Sequence, residues 1–251
     1  MKISIITVTY NCKSVLSHCL DSVAAQSYDN IEHIVIDGAS TDGTLSLLNS
    51  RRNNLAMIVS EPDDGIYDAM NKGIKLAKGD IIGFLNSDDF YINDQVISNV
   101  EKIFRNDPSI DACYADLIYV DRENVSKTTR YFKSSIFVQG LFSKGWCPPH
   151  PTFFVRRSVY ERFGCFNLNY RIASDIDLMM RFLEIHKIKT KYISQTWVKM
   201  RLGGTTTKNF KNIWIQNQEI LSSFRKEGLH VNTISFFIHK IISRSIQFLK
   251  S

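Results

Sequence analysis

At residues 81–89 the chain runs Ile81-Ile82-Gly83-Phe84-Leu85 and then Asn86-Ser87-Asp88-Asp89. An apolar run of this length, bounded by turn residues, predicts a strand that is buried on both faces of a parallel sheet. Open α/β folds bind ligands at the carboxyl ends of such strands, where the two aspartates would lie. Adjacent carboxylates repel each other unless solvent or a cation offsets their charge, and hard oxygen ligands suit Mg²⁺ or Mn²⁺. Taken alone, the pair favours an acidic turn that caps the next helix.

Two earlier predicted strands also end in polar side chains, and they change this interpretation. Residues 2–10 form a strand-like run that ends at Asn11, and residues 34–36 lead into Asp37 and a turn rich in Gly, Ser and Asp. The carboxyl ends of parallel strands lie along one edge of a sheet. We therefore expect Asn11, Asp37, Asp88 and Asp89 to lie near one another at that edge.

Four motifs in the first half, in this order and spacing, resemble the family 2 glycosyltransferases with the GT-A fold. They are residues 4–11, 37–44 (Asp-Gly-Ala-Ser-Thr-Asp-Gly-Thr), 64–73 (Asp-Gly-Ile-Tyr-Asp-Ala-Met-Asn-Lys-Gly) and 86–89. The resemblance continues more loosely through residues 150–158 and 173–178. Each motif is weak alone, and their combination is the signal.

The fold class predicted from the strand and helix pattern and from the resemblance is α/β. It is a Rossmann-like GT-A fold with a mixed, mostly parallel sheet, flanking helices and a C-terminal helical extension. We expect residues 1–228 to form the glycosyltransferase domain, with a nucleotide-binding half at 1–125 and an acceptor-binding half at 126–228, followed by an amphipathic helix at 229–251. The pattern also predicts helices over 137–142 and 174–186 and one or two strands over 191–200.

The resemblance implies roles for several carboxylates. Asp89 would contact the metal, with Asp88 nearby on the ribose or on a metal-bound water, and a carboxylate at the start of a helix in the second half would be the general base. Asp175 is the best match for that base. Ser174 stands where family members often have Glu, so Asp177 stays an alternative, and residues two apart on a helix do not face the same way. A further alternative is that both aspartates stabilise the helix N-terminus.

The resemblance also implies a nucleotide-sugar pocket at the ends of the first strands. Asp37 would accept the imide N–H of uracil, which discriminates bases by hydrogen bonding. Thr9, Tyr10 and Asn11 would line the same pocket, and packing of Tyr10 against the first helix is an equal alternative. Asp64 stands at a position where family members contact the nucleotide.

Several further residues are candidates for the site, but each can equally be explained by an ordinary structural role. Lys72 lies four residues after Asp68, so it either forms an ion pair with it or braces the nucleotide pocket near phosphate. The resemblance suggests His150 as a contact to acceptor, diphosphate or metal, although a single His is more often structural. Trp146 is an acceptor platform or a core residue. Gly203-Gly204 begins either a plain turn or a mobile loop whose N–H groups close over the diphosphate.

The charge of the chain is unevenly distributed. Residues 1–125 hold 19 acidic and 10 basic side chains, whereas residues 126–251 hold 6 and 21. The basic half predicts contact with a membrane surface, a diphosphate or nucleic acid, or only a more soluble surface. Five scattered Cys without a Cys-x-x-Cys pair indicate reduced thiols and a cytoplasmic protein. No run is apolar enough to span a bilayer, and no signal peptide is expected.

The last segment predicts an amphipathic helix over residues 234–249. Its apolar positions near one face are 234, 237, 238, 241, 242, 248 and 249. Lys240, Arg244 and Gln247 lie on the other face, and no acid follows Glu227. Such a helix fits an anionic membrane surface, although packing against the domain gives the same stripe. We expect peripheral contact with the inner face of the cell membrane, because a lipid-linked acceptor needs it.

Together these features predict a metal-dependent, inverting glycosyltransferase. It would move a hexose or N-acetylhexosamine from a nucleotide sugar, UDP-sugar foremost, to a lipid-linked or oligosaccharide acceptor of surface polysaccharide. A sugar nucleotidyltransferase is the nearest alternative, but residues 11–15 lack its Gly-rich basic phosphate loop. A nucleic-acid-binding module would use the basic half yet gives no role to the acidic strand ends, so no nucleic acid partner is expected. An inactive family member is disfavoured because Asp88, Asp89 and Asp175 are all present.

Overall fold

The computed structural model describes residues 1–203 and 210–249, and within them nine strands form one sheet with flanking helices. The strands in chain order are β1 (Ile3–Thr9), β2 (Ile31–Asp37), β3 (Met57–Ser60), β4 (Ile81–Phe84), β5 (Phe90–Tyr91), β6 (Ala112–Val120), β7 (Thr128–Phe132), β8 (Phe154–Arg156) and β9 (Thr190–Arg201). The helices are α1 (Lys13–Ala24), α2 (Thr44–Ser50), α3 (Ile66–Leu76), α4 (Val96–Asn106), α5 (Arg157–Phe163), α6 (Ser174–Met180), α7 (Phe210–Lys226) and α8 (Thr233–Leu249).

The sheet is mixed, and the four parallel strands β1 to β4 come from the first half of the chain. Its strand order is β3-β2-β1-β4-β8-β6-β9-β5, with β7 paired to β6 outside this path. Strand β1 pairs in parallel with β2 and β4, and β2 with β3. Strand β8 runs antiparallel to both β4 and β6, while β6 and β9 are parallel. The first half therefore has the parallel βαβ arrangement that its sequence predicts.

The central strands are buried on both faces, as their unbroken apolar runs predict. All seven residues of β1 are buried. Its side chains alternate between two core clusters, with Ile3 and Ile5 in one and Ile6 and Val8 in the other. In β4, Gly83 leaves the space that the ring of Phe154 on β8 occupies, since a Cβ at position 83 would overlap that ring. Helices cover both faces of this part of the sheet.

The middle of the chain differs from its sequence-based prediction in two places. The helix predicted over residues 137–142 is wrong, because this segment is a loop that ends in a 3₁₀ turn at Phe142–Lys144. Gly140 has a φ of 89°, and its N–H donates to Glu184 Oε1 at 2.9 Å rather than to a helix carbonyl. The helix predicted over 174–186 is α-helical only in α6 and continues as a π-helical turn at Arg181–Ile185.

The two C-terminal helices pack onto the domain. On α7, the Glu219 carboxylate accepts hydrogen bonds from the backbone N–H groups of residues 171, 172 and 173 at 2.8–2.9 Å.

On α8, Phe236 is buried and its ring centroid lies 6.3 Å from that of Phe224 on α7. Three members of the predicted apolar face are instead exposed, namely Ile234, Ile238 and Ile242. The predictions for side chains at positions 241, 244 and 247–249 lie outside the described residues. Among the described helices, none combines the length and apolar content needed to cross a bilayer.

Buried His33 on β2 gives the fold a predictable pH dependence. Its Nε2 lies 3.0 Å from Thr7 Oγ1, and burial lowers its pKa to about 4. The unfolded chain binds this proton near pH 6.5, so between about pH 6.5 and 4 the unfolded state holds more protons and stability falls as the pH falls. We expect His33 to account for a loss of roughly 3 kcal/mol over this window, at about 1.4 kcal/mol per pKa unit.

Denaturant unfolding of the wild type and of His33→Gln between pH 4 and pH 7 measures this loss. All other titrating groups are shared by the two proteins, so the difference between their slopes isolates His33. Parallel stability profiles for the two proteins would contradict the prediction.

Candidate active site

The carboxyl ends of β1, β2 and β4 lie at one edge of the sheet, and a cavity of about 980 Å³ opens there. Thr9, the last residue of β1, lies beside Asp37, the last residue of β2. Ile6 of β1 lies beside Phe84, the last residue of β4, from which the chain continues to Asp88 and Asp89. The strand ends therefore converge as the sequence predicts.

The acidic pair forms a tight turn after β4. The Asp89 N–H donates to the Asn86 carbonyl at 3.0 Å, and Asn86 Nδ2 donates to Asp89 Oδ2 at 3.1 Å. Asn86 Oδ1 and Asp89 Oδ1 are buried and have no hydrogen-bond partner in the described part of the chain. Asp88 lines the cavity, while Asp89 lies fully buried behind it. Burial raises the pKa of both carboxyls, and the charge of Asp88 raises the pKa of Asp89 further, well above its usual range.

These oxygens fit the ligands that Mg²⁺ or Mn²⁺ prefers. Two buried oxygens that have no partner among the described residues lie beside a carboxylate that faces the cavity. A cation would offset the burial and the repulsion from Asp88 that together raise the pKa of Asp89. Within residues 1–203 and 210–249, no group of three or more His, Cys, Asp or Glu side chains is placed to hold a metal. Mg²⁺-type sites often use one or two carboxylates and take their remaining ligands from substrate phosphates and water.

A buried arginine, which the sequence analysis did not single out, lies near the acidic pair. Arg201 at the end of β9 is 4% exposed, and its Nη2 lies 2.5 Å from His18 Nδ1. Burial lowers the pKa of Arg201, and the charges of the two aspartates counter this effect. The antiparallel pairing of β5 with β9, with Phe90 opposite Lys199, brings it there. The pairing of β5 with β9 joins residues more than 100 positions apart in the chain, so no local sequence pattern predicts it.

The residues of the first two strands that were predicted to bind the nucleotide differ in their position relative to the cavity. Thr9 and Tyr10 line the cavity, and Thr9 Oγ1 is buried with no hydrogen-bond partner among the described residues. Asp37 is fully buried, and its carboxylate accepts from Ser40 N–H at 3.0 Å, Ser40 Oγ at 2.5 Å and Ser60 Oγ at 2.6 Å. Recognition of a base by Asp37 stays a prediction, and in this arrangement its oxygens serve the turn.

Asp63, rather than its predicted neighbour Asp64, faces the cavity. Its carboxylate lies against Gly38, where an added Cβ would come within 2.5 Å of Asp63 Oδ2. Asp64 is exposed, and its N–H donates to Asp68 Oδ2 at 3.2 Å. Two adjacent aspartates look alike in the sequence, and the turn before α3 decides which one faces inward.

Asn11 and Lys72 are engaged in other contacts and are not among the described residues that line the cavity. Asn11 has a φ of 50°, and its Oδ1 accepts the N–H of Thr41 at 2.9 Å. Lys72 Nζ lies 2.9 Å from Glu61 Oε1 and 3.3 Å from Asp68 Oδ2. Of the two interpretations of Lys72, the ion pair with Asp68 is the one observed.

Of the two candidate bases, Asp175 faces the cavity and Asp177 does not. The Tyr67 hydroxyl lies 3.0 Å from Asp175 Oδ1 and donates to it. Asp177 is 1% exposed, pairs with Arg181 at 3.0 Å and accepts the Ser223 hydroxyl at 2.5 Å. The two residues therefore point in different directions from α6, as their spacing predicts.

The weaker candidates His150, Trp146 and Gly203 also line the cavity, whereas Gly204 lies outside the described residues. His150 is stacked on Phe84 with ring centroids 5.3 Å apart, and burial lowers its pKa, so its imidazole is neutral at neutral pH. Gly203 has a φ of 97°, which favours glycine.

A further part of the cavity wall comes from the loop around Trp146 and from helices α7 and α8. We call this surface the C-terminal wall, and it consists of Phe142, Trp146, Gln216, Ile220, Phe224 and Phe236. The ring of Trp146 meets Phe142 edge-on with centroids 5.6 Å apart. Trp146 is among the residues predicted from the sequence, whereas the α7 residues are not, because their polar and apolar positions resemble those of any packed helix.

Residues 4–164 match the family model described as glycosyl transferase family 2. The chain belongs to this glycosyltransferase family. A PGL/p-HBAD biosynthesis glycosyltransferase of Mycobacterium bovis is 34% identical over 194 residues, which are 76% of this chain and 73% of that protein. A UDP-Glc:alpha-D-GlcNAc-diphosphoundecaprenol beta-1,3-glucosyltransferase, WfaP of Escherichia coli, is 24% identical over 243 residues, or 91% of this chain and 88% of that protein.

Solved structures confirm the GT-A fold of this glycosyltransferase. S. aureus TarS 1–349 in complex with UDP-GlcNAc superposes with a TM-score of 0.69 at 19% identity, over 99% of this chain and 72% of that chain. The mannosyltransferase PcManGT of Pyrobaculum calidifontis, in complex with GDP-Man and Mn²⁺, superposes with a TM-score of 0.66 at 21% identity, over 99% and 69%. At these identities the likeness establishes the fold alone.

The two aspartates of α6 should affect stability very differently in this glycosyltransferase. Asp177→Asn leaves the Arg181 guanidinium in a buried place without its counter-charge, so we expect a loss of about 3 kcal/mol. Asp175→Asn changes a side chain that faces the cavity, and we expect a change within about 1 kcal/mol. Urea unfolding of both variants measures the difference. Equal losses would mean that Asp177 is not the structural member of the pair.

Proposed function

We propose that the protein is a metal-dependent, inverting glycosyltransferase that moves a hexose or N-acetylhexosamine from a UDP-sugar to a lipid-linked or oligosaccharide acceptor in surface-polysaccharide synthesis. The observation that carries the proposal is that Asp175 and Asp88 face one cavity of about 980 Å³. This volume is at the upper end of the range for ligand pockets, so it has room for a nucleotide sugar and part of an acceptor.

Asp175 is the residue to which we assign proton transfer. The acceptor oxygen bonds to the anomeric carbon as the bond from that carbon to the diphosphate oxygen breaks, and the hydroxyl proton passes to the Asp175 carboxylate. A single displacement of this kind inverts the configuration at the carbon. Tyr67 orients the carboxylate from 3.0 Å, and burial raises the pKa of Tyr67 so that its hydroxyl stays protonated as a donor.

Asp88 and Asp89 would hold Mg²⁺ or Mn²⁺ together with the phosphates of the donor. When bound, the cation offsets the negative charge that develops on the departing nucleoside diphosphate. Arg201 adds a fixed positive charge beside the acidic pair. The Mn²⁺ in the complex of the P. calidifontis mannosyltransferase supports a metal in this fold.

The choice of substrates is supported by the relatives and by the charges around the cavity. The E. coli relative is named for UDP-Glc and a lipid diphosphate acceptor, and TarS was crystallised with UDP-GlcNAc. Lys144 and Lys240 line the cavity next to the C-terminal wall, where they suit an anionic acceptor such as a lipid diphosphate. GDP-mannose is the rival donor, because PcManGT was crystallised with it.

A screen of nucleotide sugars for Mn²⁺-dependent release of the nucleoside diphosphate tests this function. We expect UDP release that EDTA abolishes, and a decrease in kcat of about 10²- to 10⁴-fold for Asp175→Asn, since a general base contributes on that scale. Asp89→Asn should lose the Mn²⁺ dependence of UDP binding. Asp29→Asn is the matched control and should keep wild-type activity, because Asp29 is exposed and lies outside the cavity.

Two results would overturn the proposal. One is consumption of UTP and a sugar phosphate without transfer from any nucleotide sugar, which is the reaction of a nucleotidyltransferase. The other is full activity of both Asp175→Asn and Asp89→Asn. Salt-sensitive retention on DNA or RNA in place of nucleotide-sugar binding would favour the nucleic-acid-binding alternative.

We also propose that the enzyme works at the inner face of the cell membrane, with α8 on the lipid surface. Ile234, Ile238 and Ile242 follow one another at four-residue spacing on α8 and are 74%, 51% and 52% exposed. No acidic residue follows Glu227, which suits an anionic surface. All five cysteines are free, which supports a cytoplasmic location.

Sedimentation with lipid vesicles tests this membrane contact. The wild type should bind vesicles that contain phosphatidylserine and bind less at high salt, and the triple variant Ile234→Ser/Ile238→Ser/Ile242→Ser should lose most of the binding. The control is Ile136→Ser/Val138→Ser, because those side chains are 72% and 62% exposed in the loop after β7. Equal binding by the wild type and the triple variant would contradict the proposal.

A further inference from the structure

Two buried polar atoms of the C-terminal wall lack hydrogen-bond partners among residues 1–203 and 210–249. Gln216 on α7 is 8% exposed, and its Oε1 has no partner among the described residues. The indole nitrogen of Trp146, Nε1, is also buried and has no partner among these residues. Leaving such a group without a partner costs about 1–3 kcal/mol. Both residues line the cavity, so a ligand there can supply the missing partners.

The segments that carry the two atoms lie close together in space. Lys240 of α8 packs on the residue before Trp146, since a Cβ built on Gly145 would lie 3.1 Å from Lys240 Cβ. The same lysine donates through Nζ to Asn217 Oδ1, next to Gln216, at 2.6 Å. One lysine side chain therefore contacts both segments, and both segments line the same cavity.

The surface around these atoms is apolar. Gln216, Ile220 and Phe224 follow one another at four-residue spacing on α7, so they share one face of the helix. Phe236 of α8 packs on Phe224, and Phe142 packs on Trp146. The wall therefore offers one hydrogen-bond acceptor, one donor and a surrounding apolar surface.

We propose that the C-terminal wall binds the acetamido group of an N-acetylated sugar in the acceptor. The acetamido N–H donates to Gln216 Oε1, its carbonyl accepts from Trp146 Nε1, and its methyl group packs on the apolar side chains of the wall. This inference rests on the proposed function, because it assigns the substrate class of the same cavity.

Other common sugar substituents match this surface less well. A carboxylate has no proton to donate to Gln216 Oε1, and a protonated amine cannot accept from the Trp146 N–H. A hydroxyl can donate and accept, but it brings no apolar surface to the wall. The acetamido group combines a donor, an acceptor and a methyl group in one planar unit.

Binding of two synthetic glycosides to the protein saturated with UDP and Mn²⁺ tests the proposal. Titration calorimetry compares octyl α-N-acetylglucosaminide with octyl α-glucoside, which differ at the acetamido position. We expect the acetamido glycoside to bind about tenfold more tightly, since a site built for hydrogen bonds rejects an analogue that leaves its polar groups without partners. Gln216→Met and Trp146→Phe should each lower that affinity about tenfold without changing the affinity for UDP.

Two matched controls lie on the exposed side of α7. Gln218→Met and Trp214→Phe make the same chemical changes at exposed positions, and both should bind like the wild type. Equal affinity for the two glycosides, no binding of either, or wild-type binding by Gln216→Met and Trp146→Phe would overturn the inference. Loss of UDP binding by the wild type would instead overturn the proposed function, so the two failures are distinguishable.

Discussion

The parallel pairing of β1 with β2 and β4 is the constraint on which the site depends. It places Thr9 beside Asp37 and Ile6 beside Phe84, so three separate segments finish at one edge of the sheet. The register is held by the core, because a shift by one position would exchange the β1 side chains that pack into the two core clusters. The position of the acidic turn after β4 is thus a consequence of core packing.

The electrostatics of the site link the two halves of the chain. The acidic half supplies a buried pair of carboxylates whose charges oppose each other, and Arg201 from the basic half lies near them. Lys144 and Lys240 line the cavity as well. The acidic half, with 19 acids against 10 bases in residues 1–125, and the basic half, with 6 acids against 21 bases in residues 126–251, therefore both contribute charged side chains to one cavity.

The parts of the site that could be predicted from the sequence are those that depend on local patterns of residues. Unbroken apolar runs that end in carboxylates predicted the parallel strands and their shared edge, and helical spacing predicted that Asp175 and Asp177 would diverge. Residues placed by distant contacts could not be predicted in this way. Arg201 depends on the pairing of β5 with β9, and Gln216 depends on how α7 packs against the Trp146 loop. The inward turn of Asp63 depends on a loop conformation that its neighbour Asp64 could equally have adopted.

The hydrogen bonds accepted by Glu219 have a consequence for how the chain folds during its synthesis. Its carboxylate holds the three backbone N–H groups that directly precede α6, the helix that carries Asp175. Chains are synthesised from the N-terminus, and their early parts can fold first. Strand β1, which ends at Thr9, and the turn that carries Asp88 are therefore synthesised long before α7. The carboxylate of Glu219, which holds the segment leading to Asp175, becomes available only when α7 has been made.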